Sequence, residues 1–419
     1  MDAGLWEVFA IGAVAVAGAG AALFFMVSRE LATGLGPGGR WLLTAACGMG
    51  TLAFAAKLAV AAALAGNPAA FSGPPDASLP STALDFENPA PSRPARYVWE
   101  ALPRQAPAPA GNPTTPERVA LGRQLFNEKR LSGDGTLACA SCHDLFGGAG
   151  ADGRPTARGA HGQTGERNTP TIWNAAFQSV LFWDGRAASL EAQAAGPILN
   201  PIEMALPSST EAERRLAGDL DYRRAFAAAF GDGEISFGRI TQALAAYERT
   251  LITPDSPYDR FVRGDSRALS PKQLRGMALF ESVGCTLCHR GPNFSDASIL
   301  GGTNPFRYFP ASATDFEAKY PLLTATGQHG VWRIPSLRNV ALTGPWLHNG
   351  SVDRLEEVVR IMAGAQLGRS TGFVAWLDSD LGLGHVDRSP LADGDVQDIV
   401  AFLEALSSET LARSSHRSR

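Results

Sequence analysis

Cysteine is scarce in this chain, with only five among 419 residues. An excess of one charge is also missing, since 37 lysine and arginine residues and 41 aspartate and glutamate residues give a net charge of −4 at pH 7. A chain without a basic excess gives no reason to expect a nucleic-acid partner. Strand-like alternation is scarce from Thr115 onward, where apolar residues recur at helical spacing. The sequence therefore predicts a mainly α body.

Four of the five cysteines belong to one repeated motif, Cys-x-x-Cys-His. The two copies lie in LACASCHDL and GCTLCHRG and comprise Cys139, Cys142, His143, Cys285, Cys288 and His289. Two thiols three positions apart can reach the two vinyl groups on one edge of a haem, and the adjacent histidine can bind the iron. The motifs therefore predict two covalently bound haem c groups, with His143 and His289 as proximal ligands.

Two other chemistries use closely spaced cysteines. A thioredoxin-like disulfide also uses Cys-x-x-Cys, but it follows a strand and does not require the histidine. A zinc site needs its second pair nearby, whereas roughly 140 residues separate Cys142 from Cys285. A short helix with Gly-x-x-Leu-Phe precedes both motifs, which favours two cytochrome-c-like domains in tandem.

The N-terminal region is apolar in two long runs, Trp6–Val27 and Trp41–Ala65. Their lengths predict two transmembrane helices, although Lys57 shortens the apolar part of the second. Arg29 and Arg40 place the connecting loop in the cytoplasm by the positive-inside tendency. The predicted localisation is the bacterial inner membrane, with the haem domains facing the periplasm. Neither run contains histidine, so no membrane-embedded haem b is expected.

Composition divides the chain into four regions. Proline, alanine and serine are frequent between the apolar runs and the first helical pattern, which is typical of a semi-extended spacer. The predicted regions are a membrane anchor at 1–66, a linker at 67–114, a first haem domain at 115–266 and a second haem domain at 267–410.

Further motifs occur in an order and spacing that resemble the bacterial di-haem cytochrome c peroxidase family. In the first half they are CASCH, HGQTGERNTPTIWNAAF and FWDGRAASLEAQAAGPILNPIEM; in the second they are TLITPDSPYDRF, GCTLCHRGPNF, IPSLRNVALTGPWLHNGSV and IMAGAQLG. The resemblance covers roughly residues 115–407. It implies a haem peroxidase that reduces hydrogen peroxide to water.

The resemblance also implies roles at the first haem. The haem on His143 is similar to the family's low-potential peroxidatic haem, with His161 as a removable distal ligand. Glu203 matches the family's acid–base residue, and Gln193 matches the residue that orients peroxide.

At the second haem, on His289, the resemblance implies the electron-entry site. Met362 matches its distal ligand, and a thioether raises the potential relative to imidazole. Trp183 matches a tryptophan that lies between the two haems in relatives. Asn168 and the carbonyls of Thr343 and Pro345 match a calcium site at the domain interface.

Partners and alternatives follow from the same resemblance. The expected electron donor is a small c-type cytochrome or another periplasmic or membrane donor, and a homodimer is expected because soluble relatives commonly dimerise. One alternative is a MauG-type di-haem oxidase that modifies a partner protein; that branch has tyrosine where this chain has Met362. Another is a non-enzymatic di-haem electron carrier, which has no need of Glu203 or Gln193.

Overall fold

The computed structural model describes residues 97–311, 316–322, 330–368 and 390–415, which belong to a unit assigned to Glu87–Arg419. Helices predominate, as predicted. The α-helices are α1 Pro116–Phe126, α2 Cys139–Cys142, α3 Leu190–Leu199, α4 Ser209–Ala217, α5 Leu220–Phe230, α6 Phe237–Glu248, α7 Pro257–Val262, α8 Pro271–Val283, α9 Phe316–Lys319, α10 Leu355–Ile361, α11 Asp393–Ala405 and α12 Glu409–Ser415. Short 3₁₀ turns connect them, and strands β1 Phe306–Phe309 and β2 Gly330–Arg333 form an antiparallel pair.

The helix before each haem motif starts in the same way. Thr115 caps α1 by accepting a hydrogen bond from the backbone N–H of Arg118, and Pro116 occupies the first turn. Ser270 caps α8 in a reciprocal box with Gln273, and Pro271 again follows the cap. Both arrangements satisfy backbone donors that a helix start leaves unpaired.

The Gly-x-x-Leu-Phe repeat marks where each of these helices crosses another at close range. A Cβ atom on Gly122 of α1 would lie 2.0 Å from the carbonyl oxygen of Ala243 in α6. A Cβ atom on Gly276 of α8 would lie 1.8 Å from the carbonyl oxygen of Asp398 in α11. The glycines therefore permit backbone contact between helices, and the phenylalanine four positions later is buried in both helices.

Two glycines of the α1–α6 pair are expected to respond oppositely to the same substitution. Gly122→Ala places a methyl group against backbone and is expected to cost about 3 kcal/mol of unfolding free energy. Gly238→Ala, on α6, meets nothing within 4 Å and is expected to stabilise by about 0.5–1 kcal/mol through helix propensity. Chemical unfolding of the two variants beside the wild type measures the difference. Equal effects would contradict the close crossing.

The two halves have separate hydrophobic cores. One cluster is drawn from residues 121–251 and includes Leu125, Phe126 and Phe226. Another is drawn from residues 258–406 and includes Phe294 and Phe402. Each core lies beside its own haem motif, because Cys139 packs against the first and Cys285 against the second.

Residues 97–114, assigned to the linker by composition, pack on this body. The ring centroids of Trp99 and Phe294 are 6.2 Å apart, and Trp99 packs against the second core. The hydroxyl of Tyr97 accepts a hydrogen bond from the backbone N–H of Gly291, two residues after the second haem motif ends at His289. Leu102 is fully buried, and its N–H donates to Asp259. The chain is thus anchored to the second half before it enters α1.

The predicted localisation in the inner membrane is contradicted. Within the described ranges no helix is both long and apolar enough to cross a bilayer. The longest described helices, α8 and α11, have 13 residues, whereas a span needs about 20. The runs Trp6–Val27 and Trp41–Ala65, on which that prediction rested, lie outside the described residues.

Candidate functional site

The first Cys-x-x-Cys-His motif forms a single helical turn, α2. The turn brings Cys139 and Cys142 to the same side, and the backbone N–H of His143 closes it on the carbonyl of Cys139 at 2.9 Å. Ser141 fixes the start, because its hydroxyl accepts a hydrogen bond from the N–H of Ala138. Both thiols are free and only partly exposed.

The imidazole of His143 is oriented by the loop that follows it. Its Nδ1 lies 2.9 Å from the carbonyl oxygen of Gly150, so Nδ1 carries the proton and Nε2 remains as the basic nitrogen. Burial lowers the pKa of His143 below its ordinary value, which keeps the ring neutral. Gly150 has a φ of 82°, and a Cβ there would lie 2.7 Å from atoms of Thr171 and Trp173.

The second motif repeats this arrangement. Gly284 ends α8 with a φ of 103° and leads directly into the 3₁₀ turn Cys285–Leu287. The backbone N–H of His289 again bonds to the carbonyl of the first cysteine, at 2.9 Å. Its Nδ1 lies 3.1 Å from the carbonyl oxygen of Phe294, and burial lowers its pKa to about 4. A second neutral imidazole is thus oriented by backbone carbonyls of its own half, those of Phe294 and Pro335.

These features fit haem c better than the two other cysteine chemistries. Burial raises the pKa of Cys139 to about 12 and that of Cys142 to about 11, so neither is the activated thiolate of a redox motif. Among the described residues, no group of three or more His, Cys, Asp or Glu side chains is placed to hold a metal ion. Paired neutral thiols beside an oriented neutral imidazole suit two thioether bonds and one iron ligand.

A carboxylate lies close to the first haem motif. Glu203 follows α3 and is half-buried, and its charge contributes to the raised pKa of Cys142. The amide nitrogen of Asn200 donates a 2.7 Å hydrogen bond to its Oε1. Burial raises the pKa of Glu203 above its ordinary value, and the bond from Asn200 offsets part of that rise. Asn200 was not identified from the sequence, although its position at the end of α3 is the usual place for a capping residue.

Gln193 lies on α3, seven residues before Asn200, which caps the C-terminal end of this helix. Between them, Gly196 meets the ring of Phe182, where a Cβ would lie 2.8 Å from the ring edge. Phe182 directly precedes Trp183. The face of α3 that carries Gln193 therefore contacts the segment that carries Trp183.

His161 lies on an exposed turn attached to Glu203. It has a left-handed backbone with φ of 57°, and its N–H donates to the carboxylate of Asp134 at 2.9 Å. The preceding N–H, of Ala160, donates to the carbonyl oxygen of Glu203 at 2.7 Å. A non-glycine residue with positive φ stores strain that neighbouring contacts must hold. The turn that carries His161 is thus hydrogen-bonded directly to the backbone of Glu203.

Trp183 belongs to the first half and makes a backbone hydrogen bond to the second. Its indole N–H donates to the carbonyl of Asn168 at 2.8 Å, and its own carbonyl accepts from the N–H of Arg333 at 2.8 Å. Its ring packs on a small apolar cluster of the second half, which Met362 also contacts. Met362 begins a π-helical turn, Met362–Gln366, directly after α10. Such turns are rare and occur frequently at functional sites.

The three positions assigned to calcium lie on neighbouring segments. Asn168 is buried, and its amide nitrogen donates to the carbonyls of Arg154 and Pro155 at 2.8 and 3.3 Å, which turns Oδ1 away from them. Its backbone N–H donates to the carbonyl of His348 at 2.9 Å. His348 lies three residues after Pro345 and five residues after Thr343, so this bond brings the segment of Asn168 next to theirs.

His348 packs against Trp332 and gives a pH-dependent contribution to stability. The two rings stack at 4.3 Å, and burial, with a smaller effect from Arg167, lowers the pKa of His348 to about 4. The unfolded chain binds this proton near pH 6.5, so stability falls as the pH decreases from 6.5 to 4. The loss is expected to be roughly 2–3 kcal/mol.

The variant His348→Gln removes this titration. Unfolding midpoints at pH 7.5, 5.5 and 4.5 are expected to fall less steeply with pH in the variant than in the wild type. The comparison at pH 7.5 isolates the packing loss that is common to all three conditions. Parallel pH profiles would contradict a neutral buried imidazole.

The structure also contains a shared contact between the halves that the sequence did not reveal. Asn174 and Asn339 both adopt left-handed backbone before a 3₁₀ turn, and both donate to the hydroxyl of Thr253, at 2.8 and 3.1 Å. The signal was present in the similar strings TIWNAAF and SLRNVAL. Equivalent loops of the two halves thus meet at one residue.

Comparison with known proteins connects this arrangement to one family. Residues 116–267 match the family model of di-haem cytochrome c peroxidase. Over 323 residues the chain is 36% identical to cytochrome c551 peroxidase of Pseudomonas aeruginosa, covering 75% of this chain and 85% of the relative. It is 39% identical over 302 residues to cytochrome c peroxidase of Escherichia coli, covering 72% of this chain and 60% of that longer relative.

A solved structure gives the same result. The crystal structure of a MauG-like protein associated with microbial copper homeostasis superposes with a TM-score of 0.61 at 33% identity, covering 74% of this chain and 95% of that one. The sequence resemblance is therefore confirmed. The chain belongs to the di-haem cytochrome c peroxidase family.

Proposed function

We propose that the protein is a di-haem peroxidase that reduces hydrogen peroxide to water with electrons from a c-type cytochrome of the periplasm. One peroxide, two electrons and two protons give two waters. The observation that carries the proposal is the half-buried carboxylate of Glu203 beside Cys142, held by Asn200. An electron carrier needs no such proton donor and acceptor next to its haem.

Two haem c groups would be held by the two motifs, with Cys139, Cys142 and His143 in one half and Cys285, Cys288 and His289 in the other. When bound, they supply an iron position for peroxide and a store for two electrons. A division into two haem domains is supported by the separate cores, but the cores meet between Leu251 and Tyr258. Helix α7 therefore packs with the second core, although the proposed bounds, 115–266 and 267–410, assign it to the first domain.

Glu203 is the residue that moves a proton. Its raised pKa brings the carboxyl closer to neutral pH, where a group accepts and returns a proton most efficiently. In the proposed reaction it takes a proton from one peroxide oxygen and delivers it to the other as the O–O bond breaks. The protonated oxygen leaves as water, and the two electrons and two further protons of the overall reaction convert the remaining oxygen into the second water. The hydrogen bond from Asn200 holds Oε1 in place, and Gln193, on the helix that Asn200 caps, would donate a hydrogen bond that orients the peroxide.

His161 is proposed as a detachable iron ligand that the first haem would have in addition to His143. Its exposed turn and strained φ favour movement, and the bond from Ala160 to Glu203 would couple that movement to the acid–base residue. At the second haem, Met362 is proposed as the distal ligand, presented by the π turn. Trp183, bonded to both halves, is proposed as the residue across which electrons pass.

A calcium ion is proposed at Asn168 and the carbonyls of Thr343 and Pro345. Support comes from the orientation of Asn168 and from the hydrogen bond that brings its segment to the one that follows Pro345. Oxygen-only ligation suits this hard cation. A homodimer remains a prediction from the resemblance.

The test of the proposal uses protein with both haems reduced and no external donor. Such protein holds the two electrons that one peroxide requires. Titration with hydrogen peroxide, followed by haem absorbance, is expected to reoxidise both haems at one peroxide per chain within seconds. If both haems stayed reduced for minutes, the carrier interpretation would replace the peroxidase.

A MauG-type oxidase is the second candidate, favoured by the similarity to the MauG-like structure. It predicts that oxidised protein consumes one peroxide without any donor and retains both oxidising equivalents for minutes, until a partner protein reacts. The peroxidase proposal predicts no such persistent state. Methionine at position 362 favours the peroxidase.

A further inference from the structure

Three arginines are buried in the described part of the chain, and one of them lacks a carboxylate there. Arg338 is fully buried and pairs with the equally buried Asp259 at 2.8 Å. Arg249 pairs with Glu191 at 2.6 Å. Arg333 is 6% exposed, and among the described residues its only hydrogen-bond partners are carbonyls: Nε to Phe182 at 2.9 Å and Nη1 to Ile334 at 3.5 Å.

A buried guanidinium without an anion is costly. Burial alone lowers the pKa of Arg333 to about 10, so the group is still charged at neutral pH. Neutral carbonyls satisfy part of its hydrogen bonding but leave the positive charge uncompensated in a medium of low dielectric. The other two buried arginines illustrate the usual solution, which is a carboxylate in contact. The surroundings of Arg333 therefore imply an anion that the polypeptide does not supply within the described ranges.

The position of Arg333 associates that anion with the second haem. Arg333 is the last residue of β2, two positions before Pro335, whose backbone interacts with the imidazole of His289. The carbonyl of Ile334, between them, accepts a 2.7 Å bond from the hydroxyl of Ser295, which directly follows Phe294. Arg333 thus belongs to the segment that packs on the proximal histidine of the second motif.

We propose that Arg333 binds a propionate of the second haem. Haem c carries two propionates, which are anions of the required type, and a bidentate guanidinium–carboxylate contact would give Arg333 the partner that Arg249 and Arg338 already have. A cation beside this haem stabilises the electron added on reduction and so raises the reduction potential. The same side chain holds the carbonyl of Phe182, next to Trp183, and thereby positions the segment between the two halves.

The test is a redox titration of the holoprotein, followed by haem absorbance. In Arg333→Gln, the ratio of reduced to oxidised second haem at a fixed ambient potential is expected to fall about tenfold, which equals about 59 mV for one electron. Arg333→Lys keeps the charge but not the planar fork, so it is expected to retain most of the wild-type ratio. If Arg333 acted only by holding the carbonyls of Phe182 and Ile334, the Gln and Lys variants would lower this ratio by the same factor.

The matched control is Arg307→Gln on the adjacent strand β1. Arg307 carries the same charge near His289, but it is partly exposed and pairs with Asp296 at 3.3 Å. Its loss is expected to change the ratio less than about twofold. The proposal is overturned if Arg333→Gln leaves the potential of the second haem unchanged, or if Arg333→Lys lowers it as far. If Arg333→Gln does not retain haem, Arg333→Lys is measured alone. A ratio close to that of the wild type supports the proposal, and a tenfold lower ratio overturns it.

This inference rests on the second haem of the proposed function but not on its reaction with peroxide. The titration contains no peroxide, so a protein that fails as a peroxidase still gives a result for Arg333. Conversely, a normal potential in the variants would leave the peroxidase proposal intact.

Discussion

Replacing Glu203 by glutamine is expected to lower kcat/KM for hydrogen peroxide by about a hundredfold to ten-thousandfold, the usual contribution of a positioned acid–base group. Glutamine keeps the side-chain length and the oxygen that accepts the 2.7 Å bond from Asn200. It cannot exchange a proton in the same way. Both haems should remain attached, because Glu203 lies outside the motifs. The measurement is peroxide consumption with reduced cytochrome c, normalised to covalently bound haem.

Glu166→Gln provides the matched control. Glu166 lies five residues after His161 and is exposed, so its replacement removes the same charge from the same half of the molecule without touching the proposed site. Its activity is expected to equal that of the wild type. If Glu203→Gln retained full activity, or if both variants lost activity equally, the assignment of proton transfer to Glu203 would be wrong.

Replacing Met362 by histidine is expected to lower the reduction potential of the second haem. A thioether ligand favours ferrous iron, and imidazole in its place favours ferric iron. The ratio of reduced to oxidised second haem at a fixed potential should fall by at least about a hundredfold, which is about 120 mV for one electron. Reduction by a c-type cytochrome would become slower accordingly. Redox titration and stopped-flow absorbance measure the two effects.

The control is Met277→Leu, which exchanges a buried methionine in the core of the same half. Leucine conserves its volume, so neither potential is expected to change. Met362 would be a packing residue, and not an iron ligand, if its histidine variant showed the same potential and the same haem spectrum as the Met277→Leu protein.

The haem-attachment motifs could be predicted from the sequence because their chemistry is local. Cys139 and Cys142 meet within one helical turn, and His143 follows directly, so spacing alone determines how they face. The Gly-x-x-Leu-Phe repeat was also visible. The structural reason for the repeat could not be predicted from the sequence, because the close contact between Gly122 and Ala243 joins residues more than a hundred positions apart.

Residues whose role depends on burial were missed or needed the family resemblance. A lone arginine on a four-residue strand has no local pattern, and only the fold brings Arg333 to Phe182 and leaves it without a described carboxylate. Glu203 precedes an ordinary Met-Ala-Leu string, and its raised pKa arises from tertiary packing. The prediction of localisation rested on hydropathy of the first 65 residues, and the described helices are too short to support it.

The decisive measurement is the steady-state consumption of hydrogen peroxide by the haem-loaded protein, with a reduced small c-type cytochrome as donor. Sustained turnover is expected, with two molecules of cytochrome oxidised for each peroxide consumed. If peroxide consumption did not exceed one equivalent per chain while both haems stayed covalently attached and the donor stayed reduced, the protein would not be a cytochrome c peroxidase.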